Sequence, residues 1–367
     1  MIRLQVRPAP SRRMMLLSPV VALAVTVGVA AVLFAVLGKD PGRGLEALLI
    51  EPFSGLQRVT ELGLKTTPLI LCSVGLALCY RSNVWNIGAE GQFLFGAIGA
   101  GGLAMWVTMH GMAVSQWGFF PFVIVFGALA GAAWAAVPAL LKDRFHANEI
   151  LVSLMLVYVA NLFLSWLMFG PWKDPKGWNF PQTVSFSADT TVPRIFSGYR
   201  LNWGFAVALL AAFLAWIFLF RTLRGLQLEV GGPAPAAARY AGFSARSALW
   251  TTMLTSGALC GVAGAFEAVG PMGQLTPHVS TGYGFTAIIV AFVGRLNPLG
   301  CVLGSVLLGI FLMGGEQAQY AVRTPAALSG VFQGVLLIAL LACDTFIQYR
   351  LRWDRLRAAV PPEGAGA

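Results

Sequence analysis

The sequence predicts an all-α membrane protein with about ten transmembrane helices and both termini in the cytoplasm. Of the 367 residues, 57% are hydrophobic and only 11% are charged, whereas a soluble globular domain has about 25% charged residues. The 42 glycines and 20 prolines are scattered through apolar runs, so neither a collagen-like nor a disordered chain fits. The high hydrophobic fraction and the low charged fraction together exclude a soluble fold.

Ten apolar segments follow one another along the chain, and most approach the roughly 20 residues that a spanning helix needs. The first, residues 14–37, is longer than the roughly 7 to 15 residues of a signal-peptide core, and no cleavage site ends it. We therefore expect it to be a helix. The other segments lie at about 66–82, 86–108, 118–141, 149–169, 202–220, 248–269, 284–295, 297–314 and 327–348.

The distribution of Lys and Arg predicts the orientation in the bilayer. With the N-terminus inside, sixteen of the 25 basic residues lie in the cytoplasm and nine outside. Most of the outside charges fall in two long loops, about 38–65 and 170–201, which count least toward orientation. The chain then consists of a cytoplasmic segment 1–13, a polytopic membrane domain 14–348 and a basic cytoplasmic tail 349–367. Because orientation explains the net charge of +10, nucleic acid is not expected as a partner.

Two glycine-rich stretches predict interrupted helices near a central pathway. Residues 284–295 would form a helix of about 18 Å, against about 30 Å of hydrocarbon. Non-helical backbone at membrane depth is tolerated only where protein or a water-filled cavity covers it. The stretches 86–92 and 270–284 fit such breaks, which are typical of transporters. A tilted helix with ordinary loops is the alternative.

Close helix packing is predicted by four Gly-x-x-x-Gly pairs, in which two small residues lie one turn apart on a helix. This spacing supports a compact bundle and carries no information about a substrate. The pairs are Gly127 with Gly131, Gly257 with Gly261, Gly300 with Gly304, and Gly330 with Gly334.

The sequence contains no recognisable catalytic set. It lacks Gly-x-x-x-x-Gly-Lys-Ser/Thr, so the chain has no phosphate-binding loop with which to hydrolyse ATP alone. It also lacks Gly-x-Ser-x-Gly and His-Glu-x-x-His. The five cysteines lie in apolar stretches without metal-ligand spacing. We therefore expect no enzyme activity, no metal and no cofactor bound by this chain.

Glu90 and Glu267 are carboxylates within apolar segments. An ionisable side chain in the membrane costs at least about 2.5 to 3.5 kcal/mol, so such a residue is a candidate for function. Glu267 is expected at the outer end of its helix, facing a pathway. Glu90 has two interpretations of equal weight: it lines a pathway, or it accepts hydrogen bonds from loop amides and locks two helices together.

The loop 221–247 is predicted to carry a short helix at the cytoplasmic face, over residues 233–242. Pro233 and Pro235 suit a first helical turn, and Gly242 suits a C-cap. An isolated helix of this length is marginal in water, so we expect it to dock on a partner through Arg239 and Tyr240. An ordinary positively charged inside loop is the alternative.

Several stretches together resemble one known family. They are Asn-Ile-Gly-Ala-Glu-Gly-Gln within 81–93, the helix start at 147–156, the loop just described, Gly-Tyr-Gly-Phe-Thr at 282–286 and Gly-Arg-Leu-Asn-Pro-Leu-Gly at 294–300. The chain resembles, from about residue 60 to 345, the ABC-transporter permeases of the branched-chain amino acid and simple-sugar superfamily. Within that superfamily it is most similar to the longer permease of bacterial nucleoside importers.

The resemblance implies one subunit of an importer in the bacterial plasma (inner) membrane. Its partners would be a second related permease, ABC ATPase subunits that hold ATP and Mg, and an extracytoplasmic substrate-binding protein. The helix at 233–242 would couple ATP hydrolysis to transport by alternating access. Gly232-Pro-Ala-Pro stands where Gly-x-Asn-Pro is expected, which leaves the detailed coupling contacts open.

Two sets of residues are predicted to take part in transport. The substrate pathway is assigned to Asn86, Glu90, Gln92, Phe93, Glu267, Tyr283 and Thr286. ATPase coupling is assigned to Pro233, Pro235, Ala237, Arg239, Tyr240 and Gly242. Besides nucleosides, a simple sugar fits the resemblance. A proton-coupled secondary transporter using Glu90 or Glu267, and a structural or receptor protein, are alternatives of different classes.

Overall fold

The computed structural model describes residues 2–6, 12–232, 234–325 and 327–353, and these residues are almost entirely helical. The α-helices are α1 (Arg12–Val36), α2 (Pro41–Leu49), α3 (Leu56–Arg81), α4 (Ala89–Met109), α5 (Gln116–Phe145), α6 (Glu149–Phe169), α7 (Gly204–Arg221), α8 (Leu223–Gly231), α9 (Pro235–Tyr240), α10 (Ala245–Glu267), α11 (Tyr283–Val293), α12 (Pro298–Val322) and α13 (Leu328–Gln348). A π-helical turn, Ala268–Met272, extends α10.

The ten predicted spans are all present as helices in the described residues. Eight helices are long and apolar enough to cross a membrane, and α11 and α13 supply two shorter apolar stretches, Tyr283–Val293 and Leu328–Cys343. The prediction of an all-α membrane protein is therefore confirmed. It omitted one small element, an antiparallel pair of strands β1 (Ile2–Val6) and β2 (Tyr349–Trp353). This pairing joins the segment before α1 to the segment after α13.

Helix α3 begins ten residues before the predicted span at 66–82. The predicted outer loop 38–65 accordingly contains α2, a 3-10 turn over Glu51–Phe53 and the first turns of α3. The predicted span starts too late because the charged residues Arg58 and Lys65 are assigned to the outer loop. In the structure each of these two residues has an ion-pair partner. For the same reason α12 continues to Val322 instead of ending near 314.

The chain divides into two units. In the first, residues 1–46 and 318–367, α1 packs on α13, and the rings of Phe34 and Phe332 meet edge to face at 5.7 Å. In the second, residues 47–317, α10 is central and packs against α3, α4 and α5. The apolar window of α3 is 89% buried, whereas that of α5 is 22% buried. Helix α3 therefore belongs to the interior of this unit, and α5 exposes most of its surface.

Glycines bring the backbones of α4, α5 and α10 into direct contact. A Cβ atom added at Gly131 would run into the backbone of Gly257 and Gly261, and one added at Gly264 would run into the backbone of Phe93. The predicted pairs on α5 and α10 are thus confirmed as packing positions. On α13, an added Cβ at Gly330 or Gly334 meets nothing within 4 Å, so that pair does not mediate packing among the described residues.

Candidate functional site

The first broken segment lies between α3 and α4, where residues 82–88 have no helical structure and Asn83 and Trp85 alternate as exposed side chains with the buried Val84 and Asn86. Asn86 and Gln92 exchange two amide hydrogen bonds of 3.0 Å. Asn86 also donates to the hydroxyl of Ser256 at 3.1 Å and accepts from the N–H of Gly88 at 3.0 Å. Both side chains are buried. In this conformation their polar atoms are therefore engaged within the chain.

The second broken segment follows the π-helical turn of α10. Residues 273–282 are non-helical, and Gly273 and Gly282 at their two ends have φ angles of 64° and 90°, in the left-handed region that glycine adopts without strain. The outer loop holds this segment through two hydrogen bonds of 3.0 Å between Thr183 and Leu275. The second predicted interruption, 270–284, is confirmed. The first lies at 82–88, earlier than the predicted 86–92, because residues 89–92 already form the first turn of α4.

Glu90 joins the two broken segments. Its Oε2 accepts a hydrogen bond of 2.7 Å from the N–H of Gly284, and the hydroxyl of Ser280 and the N–H of Phe285 lie close enough to interact favourably with the carboxylate. The first N–H groups of a helix lack partners within the helix and favour a negative charge nearby. Glu90, 5% exposed, thus caps the N-terminus of α11 from a different helix.

Phe93, Tyr283 and Thr286 lie beside this cap. The rings of Phe93 and Tyr283 are 5.9 Å apart, and all three side chains are buried. The structure therefore brings four of the seven predicted pathway residues, Glu90, Phe93, Tyr283 and Thr286, together where α4 meets α11. Asn86 and Gln92 instead bond to each other, and Asn86 bonds to Ser256 of α10. The pathway role of these six residues stays a prediction.

Glu267, the seventh predicted residue, is half-buried at the end of α10. It lies within electrostatic range of Glu61, Lys65 and Arg200. Lys65 pairs with Glu316 at 2.6 Å, and Arg200 pairs with Glu61 at 3.3 Å. The sequence pattern did not indicate this charged cluster. The available signal was that Glu61 and Lys65 lie four residues apart, on one face of α3.

Helix α9 occupies the centre of the predicted coupling segment. It runs from Pro235 to Tyr240, and Gly242, with a φ of 78°, follows as the predicted C-terminal glycine. It is shorter than the predicted 233–242, because a glycine in the left-handed region cannot continue a helix; Pro233 lies outside the described residues. Arg239 and Ala237 are exposed, and Tyr240 is 97% exposed.

A second short helix, α8, precedes α9 and was not predicted. Thr222 caps it by accepting a hydrogen bond of 3.1 Å from the N–H of Gly225. Arg81, at the end of α3, anchors it through an ion pair of 2.9 Å with Glu229 and lies 4.8 Å above the ring of Phe220. The predicted inside loop is therefore a structured surface.

A cavity of about 760 Å³ opens at this end of the second unit, between the ends of α5, α6, α8, α9 and α10. Charged side chains line it, and two ion pairs cross it: Lys142 with Glu149, and Arg246 with Asp143 at 2.7 Å. Residues 2–6, 12–232, 234–325 and 327–353 contain no group of three His, Cys, Asp or Glu side chains that could hold a metal ion.

The family described as "Branched-chain amino acid transport system / permease component" matches residues 59–341. This match covers well over half of the chain and includes both broken segments, α8 and α9. The chain belongs to this family. It is a multi-pass permease of the plasma membrane and a subunit of an ABC transporter, as the resemblance predicted.

Three relatives of the permease illustrate the range of solutes in the family. The glucose ABC transporter permease protein TsgB13 of Haloferax volcanii is 29% identical over 95% of this chain and 93% of its own length. The guanosine ABC transporter permease protein NupP of Bacillus subtilis is 30% identical, over 88% and 92%. The nucleoside ABC transporter permease protein NupB of Lactococcus lactis is 24% identical, over 81% and 83%. No solved structure matches the permease.

Proposed function

We propose that this permease forms half of the transport pathway of an ATP-driven nucleoside importer. The observation that carries the choice of solute is the 30% identity to a guanosine permease over 88% of the chain. The Asn-Ile-Gly-Ala-Glu-Gly-Gln stretch, one of those that carry the resemblance to these permeases, leads into α4, the helix that bears Glu90. A simple sugar is the second candidate, because a glucose permease is 29% identical over 95% of the chain.

The partners follow from the family and from the missing phosphate-binding loop. A second related permease would complete the pathway, since both NupB and NupC of Lactococcus lactis are similar to this chain. ABC ATPase subunits would hold ATP and Mg, and an extracytoplasmic binding protein would deliver the solute. This chain itself binds no cofactor and has no ATPase site in the proposal.

The buried cluster between α4 and α11 suits a solute that has a ring and hydroxyl groups. Small-molecule sites are mostly apolar with a few well-placed polar groups. The rings of Phe93 and Tyr283 supply the apolar surface, and Glu90 and Thr286 supply polar atoms. Alternating access then consists of separating α11 from α4 to admit the solute and closing them again.

A proton-coupled transporter using Glu90 or Glu267 is the rival class. Such a carboxylate has to exchange protons with water during each cycle, whereas Glu90 is buried and accepts a hydrogen bond from the N–H of Gly284 at the start of α11. This engagement favours the ATP-driven mechanism, in which Glu90 holds or releases α11 without carrying a proton.

The proposal predicts that α9 transmits force from the ATPase. The double variant Arg239→Glu with Tyr240→Ala should assemble poorly with the ATPase and lose at least about tenfold of its ATP-dependent uptake. Its unfolding temperature should stay unchanged, because both side chains are exposed on the surface. Co-purification of the ATPase and uptake by vesicles measure the two effects.

Tyr320→Ala is the matched control, because Tyr320 is also a highly exposed tyrosine, 83% exposed, near the opposite end of its helix from the predicted cytoplasmic face. It should retain both the ATPase and uptake. Equal ATPase binding by the double variant, the control and the unaltered permease would show that α9 is not the coupling element.

The choice of solute is tested through the binding protein. The complex is purified through a tag on this permease, its partners are identified by mass spectrometry, and the binding protein is titrated with guanosine, adenosine, uridine and glucose. We expect nucleosides to bind at micromolar or lower concentrations and glucose not to bind. Selective binding of glucose would replace the nucleoside proposal by the sugar proposal.

A further inference from the structure

The depth of the second broken segment follows from its two ends. Helix α11 has eleven residues and rises about 16 Å, about half of the roughly 30 Å of hydrocarbon. Just beyond its last residue, the carbonyl of Leu296 accepts a hydrogen bond of 2.9 Å from Arg81 at the end of α3. The first residue of α11, Tyr283, therefore lies near the middle of the membrane.

Leu275 lies at the outer end of the non-helical stretch 275–282, which leads to α11. Its side chain packs on Gly101 of α4, because a Cβ atom added at Gly101 would approach it to 2.8 Å. Gly101 lies about 16 Å further along α4 than Glu90, which holds Gly284. Residues 275–282 thus descend through the outer half of the membrane beside α4, without helical structure.

One side of this segment is buried and the other is exposed. Leu275, Val279 and Tyr283 are buried. His278 and Thr281 are exposed, and the ring of Phe285, in the first turn of α11, is 42% exposed. We call His278, Thr281 and Phe285 the exposed strip. It combines an imidazole, a hydroxyl and a phenyl ring at mid-membrane depth.

Lipid is an unsuitable neighbour for the exposed strip. Non-helical backbone does not face hydrocarbon, because its polar groups would be left without partners. An ionisable side chain at this depth usually faces a bundle interior or a water-filled cavity. A strip that packed only on protein would need apolar residues or matched hydrogen bonds, whereas this one exposes an imidazole and a hydroxyl group beside a phenyl ring.

We propose that the exposed strip lines the transport pathway and contacts the solute directly. Phe285 stacks on a flat ring of the solute, and His278 and Thr281 form hydrogen bonds with its hydroxyl groups or ring nitrogens. The class of solute, a nucleoside, rests on the proposed function. Because Phe285 follows Gly284, which Glu90 holds, movement of α11 carries the strip and the buried cluster together.

Water access tests the location of the strip without reference to the solute. Thr281→Cys is made with Cys343→Ser, since the other four cysteines are buried, and the assembled complex is treated with a membrane-impermeant maleimide. A thiol reacts as thiolate, which requires water. We expect Thr281→Cys to be labelled and guanosine to protect it. Leu210→Cys, on an exposed apolar face of α7, should stay unlabelled.

Transport kinetics test contact with the solute. Phe285→Leu should raise the KM for guanosine about tenfold with little change in the maximal rate of ATP-driven uptake, because stacking on an aromatic ring contributes strongly to binding of bases. His278→Ala should raise the KM severalfold. Phe122→Leu, on an exposed face of the regular helix α5, and His110→Ala are the controls and should leave the KM unchanged. Phe285→Tyr should restore it.

The outcomes separate this inference from the proposed function. The inference would be overturned if Thr281→Cys were not labelled, or if it were labelled but guanosine did not protect it. An unchanged KM in both Phe285→Leu and His278→Ala would also overturn it. Failure of Thr281→Cys to react would indicate that the strip forms a dry contact with the second permease. If the unaltered complex transports glucose instead and glucose protects Thr281→Cys, the nucleoside proposal fails and the strip stands as the solute contact.

Discussion

Gly261→Ala is expected to prevent this permease from folding stably. The added methyl group would lie on the carbonyl oxygen of Gly127 and 2.9 Å from the Cα of Gly131. Both obstacles are backbone atoms of α5, which cannot rotate away as a side chain can. Helices α5 and α10 would have to separate in the most tightly packed part of the bundle, at a cost of about 3 kcal/mol or more. Thermal unfolding of the detergent-solubilised permease measures the loss.

Gly28→Ala is the matched control for this substitution. Gly28 lies on an exposed face of α1, and an added Cβ meets nothing within 4 Å. Its unfolding temperature should be unchanged or slightly higher, since alanine favours a helix over glycine by up to about 1 kcal/mol. Similar unfolding temperatures for the two variants would mean that α5 and α10 do not touch through their glycines.

The second large effect is expected at Glu90. Glu90→Ala removes the acceptor for the N–H group of Gly284. Leaving a buried donor unpaired costs about 1 to 3 kcal/mol, and the favourable interaction of the charge with the N-terminus of α11 is lost as well. We expect unstable protein and at least about tenfold slower uptake. Glu90→Gln keeps a carbonyl acceptor without the charge. Its stability and its uptake rate should therefore lie between those of Glu90→Ala and those of the unaltered permease.

The same variants distinguish the two interpretations of Glu90. If Glu90 is only a lock, the loss of uptake follows the loss of folded protein, and the KM of the remaining permease is unchanged. If Glu90 also touches the solute, Glu90→Gln changes the KM and the order of preference among nucleosides. Glu46→Gln, on an exposed part of α2, is the control and should behave as the unaltered permease. Normal stability and uptake in Glu90→Ala would refute the cap.

Local features of the sequence predicted most of the fold. The length of apolar runs marked ten helices, and glycines with a short apolar run marked both interruptions, because these signals depend on neighbouring residues alone. The helix α9 and its C-terminal glycine were predicted for the same reason. The sequence did not indicate that Glu90 caps a helix that begins almost two hundred residues later, since the pattern carries no information about which segments meet.

Remote partners also explain the errors at the helix ends. The sequence pattern places the first turns of α3 in a loop because Arg58 and Lys65 are charged, and the partner of Lys65 is Glu316, on α12. Likewise the sequence showed four Gly-x-x-x-Gly pairs, but not that those on α5 and α10 face each other while the pair on α13 does not mediate packing. The charged cluster around Glu267 was missed because three separate parts of the chain contribute to it.

Uptake by vesicles tests most directly whether this chain is an ATP-driven permease. Radiolabelled guanosine is supplied to proteoliposomes that contain either this chain alone or the complete complex with the second permease, ATPase and binding protein. We expect accumulation only with the complete complex and only when ATP is available to the ATPase, with no effect of an uncoupler. Accumulation by the chain alone under a pH gradient, abolished by the uncoupler, would contradict the ATP-driven mechanism.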